Sequence, residues 1–234
     1  MAAPIPVLIH SPLVGPLTWN AVALQLTETN GQVVMPDLAG VFAGGPPYQP
    51  AIAELVAASL VAVDPGKDIV LVGHSGAGPL LPRIAQAVSH RVSALIYVDS
   101  LLPYPGESWL ANAPQPLVEH LRGLVRDGLL PPWHEWFPPE AITELLPDPR
   151  LQAAFVRDLP RLPFAYFHEP NSADDWRGPA GYLLLSDGYR ADAVKARQAG
   201  MPVVEQADHH LAMLTSPADV TSALRRLILA IAPS

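Results

Sequence analysis

Residues 69–78 read Ile69-Val70-Leu71-Val72-Gly73-His74-Ser75-Gly76-Ala77-Gly78. The first four are an unbroken apolar run without alternation, the pattern of a strand covered on both faces. Gly73 and Ala77 then flank Ser75 at minus two and plus two. Small residues there let a strand and the helix that follows approach closely, while the serine between them is forced into a strained, exposed turn. Its hydroxyl is expected at a helix N-terminus, where free amides and the helix dipole favour negative charge. The match is G-x-S-x-A, with the methyl group of Ala77 in place of a second glycine.

Other strand-length apolar runs lie at 4–10, 32–38, 93–99, 181–186 and 202–206, and helical patterns fall between them. Thr18 can cap a segment running to Asn30 and Gly31, a helix over 51–63 follows Pro50, and another over 76–90 follows the strand at 69–73. At 216–219, Ser216, Pro217, Ala218 and Asp219 supply a cap, a proline at the first helical position and an acid, ahead of an apolar face of Val220, Leu224, Leu227, Ile228 and Ile231. Alternating strands and helices predict an α/β fold: a mostly parallel, doubly wound sheet of about six strands. Residues 101–176 break the alternation and hold ten of the chain's sixteen aromatics. They read as a helical cap inserted into a core made of 1–100 and 177–234.

The chain has 234 residues, enough to bury a core without metals or disulfides, and its lack of cysteine excludes thiolate chemistry and cysteine zinc sites. Twenty-two acidic against fourteen basic residues give a formal charge of −8, which repels phosphate backbones, so no nucleic acid partner is expected. The start MAAPIPVLIH has no basic n-region, and no apolar run reaches the roughly 20 residues of a bilayer span. A cytoplasmic protein with no membrane partner is expected. The two lysines against twelve arginines, with much alanine and proline, read as the composition of a GC-rich bacterium.

On the elbow and its strand-to-helix setting, the chain resembles the α/β-hydrolase superfamily, and within it the compact group of plant hydroxynitrile lyases and methylesterases. The resemblance implies a nucleophile at Ser75, with a base in the loop before the last helix. His209 and His210 both lie there. The stretch from His210 to Pro217 is similar to the family's H-x-x-M-L-x-x-P, a register that selects His210 and leaves His209 as the alternative. His10 and His74 adjoin the site and read as packing residues.

The acid departs from the commonest family pattern. Counting from Ser186 to the usual position lands on Tyr189, a poor partner for an imidazolium. Asp99, at the end of the strand at 93–99, matches the position used by some family members, including certain haloalkane dehalogenases. Asp187 is the alternative. The resemblance also implies two oxyanion donors. Gly76 N–H supplies one, but Pro12 stands where the second is usual and has no N–H, so Leu13 N–H or the Ser11 hydroxyl must replace it. Trp109, Trp133 and Phe137 are expected to line an apolar substrate pocket. Within Phe167-His168-Glu169, His168 and Glu169 form a second polar spot that reads as a helix cap, with substrate contact as the alternative.

Together these features imply a serine hydrolase acting on a small, apolar carboxylic ester or thioester, with a small-molecule substrate and no cofactor or metal. Two alternatives remain: a lyase or cyclase using His210 only as base, and a small-molecule binder with a vestigial site. Leu211 stands where hydroxynitrile lyases carry a lysine, which disfavours that chemistry. A serine at position 75 excludes the dehalogenase and epoxide hydrolase mechanisms, which need an aspartate there. No HExxH, EF-hand loop or P-loop lysine appears, and no motif speaks to oligomeric state.

Overall fold

A computed structural model describes residues 3–172 and 175–231. Parts of the expected core and cap ranges, residues 1–2, 173–174 and 232–234, lie outside the described residues. Strands β1 (Ile5–Ile9), β2 (Ile69–His74), β3 (Val92–Val98), β6 (Ala180–Leu184) and β7 (Val203–Glu205) form one sheet in the order β1-β2-β3-β6-β7, and every pairing is parallel. A separate antiparallel pair joins β4 (Leu129–Leu130) to β5 (Leu162–Pro163).

The sheet has five strands where about six were expected. Residues 32–38 contribute a single bridge, Val7 to Val34, held by Leu8 N–H donating to Val34 O and Val34 N–H donating to Pro6 O. Two residues on, Pro36 has no N–H with which to extend a ladder, and the segment turns away.

Side chains alternate across each strand, so the sheet divides its residues between two cores. Val7, Ile9, Leu71, Leu95, Tyr97, Tyr182 and Leu184 pack with α2 (Tyr48–Ser59), α3 (Leu81–Ala87) and α8 (Arg190–Gln198). Leu8, Val70, Val72, Ile96, Val98 and Leu183 pack on the other face with α1 (Asn20–Asn30), α9 (Ala212–Thr215) and α10 (Pro217–Ile231). Between β3 and β6 the chain forms α4 (Trp109–Asn112), α5 (Gln115–Leu124), α6 (Pro139–Leu145) and α7 (Pro149–Arg157), together with β4 and β5.

Helix starts moved where a distant group or a proline decided them. The segment expected as one helix over 76–90 is a 3-10 turn over Ser75–Leu80 followed by α3, because Pro79 and Pro82 cannot donate the amides an α-helix would need there. Thr18 lies inside a 3-10 turn, Pro16–Trp19, and bonds back to Gly15 O, so α1 begins after it. Among the described residues no helix is long and apolar enough to cross a membrane.

Candidate active site

With all five strands parallel, their C-terminal ends share one edge of the sheet, and the loops leaving β2, β3 and β7 meet there. Ser75 follows β2 directly at φ 55°, a left-handed conformation that costs a non-glycine residue free energy. Close packing fixes the turn. A Cβ at Gly73 would lie 3.0 Å from Leu81 and 3.2 Å from the Ala77 carbonyl carbon, tighter than ordinary contact, so a larger residue would have to displace Leu81 or the descending chain. The Ser100 hydroxyl donates to Ser75 O at 2.7 Å and occupies space that a side chain at Gly78 would need.

Ser75 Oγ lies 3.0 Å from His210 Nε2, and His210 Nδ1 lies 2.7 Å from Asp99 Oδ2. Asp99 has no exposed surface and also adopts a left-handed backbone, φ 42°, where β3 ends. Its Oδ1 accepts from Leu185 N–H at 2.9 Å and Ser186 N–H at 2.8 Å, and its Oδ2 accepts from the Ser186 hydroxyl at 2.6 Å. Burial, the largest single influence, pushes the carboxyl up, but His210 and Ser186 together outweigh it and hold it below the usual aspartate range. Asp187 is exposed and paired with Arg190. His209 points away from Ser75, with Nδ1 accepting from Leu211 N–H at 3.2 Å and Nε2 lying 2.9 Å from the Thr215 hydroxyl.

Two buried histidines support these loops. His74 Nε2–H donates to His210 O at 3.0 Å, with the two ring centroids 4.5 Å apart, while its Nδ1 has no hydrogen-bond partner among the described residues. His10 Nδ1–H donates to Ser11 O at 2.9 Å and its Nε2 accepts from Leu38 N–H at 3.1 Å, which specifies one neutral tautomer. Burial holds both imidazoles below the ordinary histidine range, His74 well below it.

The loop after β1 sets Leu13 N–H on the Ser11 hydroxyl at 3.3 Å, and Ser11 Oγ comes within 3.0 Å of where a Gly76 Cβ would be. Beside Gly76 and Leu13 a narrow cavity is lined by Trp109, Tyr166, Phe167 and the polar Gln49 and Asn171, with about 20 Å³ of room for a water-sized molecule. Trp109 thus lines the cavity beside Gly76. Trp133 lies 6.4 Å from the His210 ring, centroid to centroid, whereas Phe137 meets Trp133 edge-on at 5.8 Å and is exposed. Tyr189 carries no carboxylate, so the sequence gives it no role as the triad acid. It lies 3.2 Å from Ser75 Oγ and stacks on His210, and its place at the usual acid position was the available signal.

A family model described as the alpha/beta hydrolase family matches residues 7–223. The chain belongs to the alpha/beta hydrolase family. An extracellular alpha/beta-hydrolase from a Paenibacillus species, described as sharing structural and functional homology with tobacco salicylic acid binding protein 2, superposes with a TM-score of 0.75 at 20% identity over 96% of this chain and 98% of that one. Tomato methylketone synthase I superposes with a TM-score of 0.71 at 14% identity over 99% and 100%. Both neighbours share this fold. A carbendazim hydrolyzing esterase from Nocardioides sp. (strain SG-4G) is 34% identical over 50 residues, a match spanning 21% of this chain and 21% of that protein.

Proposed function

We propose that this hydrolase cleaves a small carboxylic ester or thioester through Ser75, His210 and Asp99. The observation that carries the reading is the unbroken hydrogen-bond chain from Asp99 Oδ2 through the imidazole to Ser75 Oγ, at 2.7 and 3.0 Å. With Nδ1–H held by the carboxylate, Nε2 is the free base. It takes the Ser75 proton as Oγ attacks the acyl carbon, then passes it to the departing alcohol or thiol. Water completes the cycle by the same route in reverse.

Gly76 N–H supplies one oxyanion donor. Leu13 N–H, expected as the second, fixes the Ser11 hydroxyl as its acceptor and leaves the Ser11 proton free to donate toward the space beside Gly76, so the second donor acts through this pair. If Ser11 donates, Ser11→Ala lowers kcat about 10²- to 10³-fold. A direct role for Leu13 N–H predicts almost no loss, since removing the hydroxyl frees that amide.

Residues 101–176 act as the cap over this site, a reading supported by Trp109, Tyr166, Phe167 and Asn171 in the wall of the cavity beside Gly76. Intact mass after incubation with a fluorophosphonate tests the central assignment: one adduct on the wild type and none on Ser75→Ala is expected. A wild type that stays unmodified sinks it.

A further inference from the structure

Tyr189 belongs to the short 3-10 turn Asp187–Tyr189 after β6, and its ring lies against the base. The two ring centroids are 5.0 Å apart and the planes differ by 13°, a stacked arrangement, while the phenol oxygen lies 3.2 Å from Ser75 Oγ. A serine hydroxyl has one proton and two lone pairs. Its proton faces His210 Nε2, which can only accept because Nδ1 carries the hydrogen shared with Asp99. Between Ser75 and Tyr189, the tyrosine is then the donor.

We propose that Tyr189 is a catalytic residue whose phenol donates to Ser75 Oγ and stabilises that oxygen whenever it carries developing negative charge. The inference rests on the acyl-enzyme reading above and adds a group to it. Burial pushes the Tyr189 hydroxyl up to about 12, with the Ser75 contact pulling the other way, so it holds its proton while His210 works as base. It donates a hydrogen bond without transferring the proton.

The effect falls on both halves of the reaction. In acylation the Oγ–carbon bond forms as the serine proton moves to His210, and the carbonyl electron pair moves to the oxyanion and returns as the leaving group departs. In deacylation a water adds to the acyl carbon and gives its proton to His210. The carbon–Oγ bond then breaks, its electron pair returns to Oγ, and His210 returns the proton to that oxygen. Tyr189 O–H faces the atom that gains charge in this last step, so deacylation is the half-reaction that depends on it most. Stacking has a separate consequence, since it covers one face of the imidazole and fixes its plane.

Tyr189→Phe separates the two roles by keeping the ring and removing the oxygen; Tyr189→Ala removes both. Rapid-mix kinetics with p-nitrophenyl acetate resolve acylation from deacylation, and intact mass follows the acetyl-enzyme. We expect Tyr189→Phe to slow deacylation about 10- to 100-fold, less than the 10²- to 10³-fold typical of an oxyanion donor because the contact is longer. Acetyl-enzyme should accumulate while the thermal midpoint stays at the wild-type value. Tyr189→Ala should lose more, through a loosened imidazole. Deacylation by Tyr189→Phe at the wild-type rate would overturn the proposal and leave Tyr189 a packing residue. A wild type that no fluorophosphonate labels would instead remove the acyl-enzyme reading, and the role of Tyr189 with it.

Discussion

Two carboxylates follow strands on the same edge of the sheet, and only their backbones tell them apart. Asp99 turns left-handed at the end of β3, which buries its carboxylate beneath two amides and a hydroxyl from residues 185–186 and aims Oδ2 at His210. Asp187, on the turn after β6, faces solvent and Arg190. Asp99→Asn is expected to lower kcat about 10³- to 10⁴-fold by stabilising the wrong imidazole tautomer, and Asp187→Asn to leave it near the wild-type value. Steady-state kinetics on the two variants decide the matter, and the reverse ranking would move the acid to Asp187. The sequence put Asp99 first and kept Asp187 as the alternative, because the direction in which a strand end turns depends on what packs above it. Ser75 and His210 were easier to nominate: small residues at minus two and plus two mark the serine, and the likeness of the run from His210 to Pro217 to the family's pattern marks the histidine.

Signals confined to one element were legible in the same way. Helix α10 starts at Pro217, with Val220 and Asp219 amides returning to Ser216 O, as the cap-and-proline pattern implied. Helix α2 was expected from residue 51 and starts instead at Tyr48. The reason lies more than a hundred residues away: the Glu169 carboxylate accepts from Tyr48 N–H at 2.7 Å and Gln49 N–H at 2.9 Å, and Gln49 Nε2 donates back to Glu169 O at 3.2 Å. Glu169 had been read as a helix cap, but nothing local identified the helix. Removing this carboxylate strands two amides at the positive end of a helix whose first residues are buried. Glu169→Ala is therefore expected to lower unfolding free energy by about 1–2 kcal/mol, with Glu169→Gln losing less because it keeps an acceptor. Urea denaturation measures both, and equal losses for the two variants would show that the bond geometry contributes nothing. A fall in kcat/KM for Glu169→Ala at unchanged Ser75 labelling would place the effect on the wall formed by Tyr166 and Phe167.

At the scale of the molecule, the buried imidazoles tie stability to pH. His10 and His74 lie under the two loops that carry Ser11 and His210, and burial keeps both neutral. In the unfolded chain each binds a proton near the ordinary histidine value of about 6.5, whereas in the folded chain each resists protonation until the pH is lower. Between those two values the unfolded state holds more protons, so stability falls as pH drops below about 6.5 and goes on falling until the folded-state values are passed. Each group contributes a slope of up to about 1.4 kcal/mol per pH unit in that window. The carboxylate of Asp99 adds a separate loss at lower pH: its folded value is depressed, so its contribution is complete above about pH 4 and disappears as the pH falls further. The local consequence differs between the histidines. Protonating His10 at Nε2 removes the acceptor for Leu38 N–H, and protonating His74 at Nδ1 creates a buried donor with no partner. Urea midpoints measured from about pH 7.5 down to about pH 5 should decline steadily, and His10→Gln or His74→Gln should each flatten part of the decline while lowering stability at neutral pH. A wild-type midpoint that stays level across that range would mean that the two imidazoles take up protons in the folded state without disturbing the loops they hold.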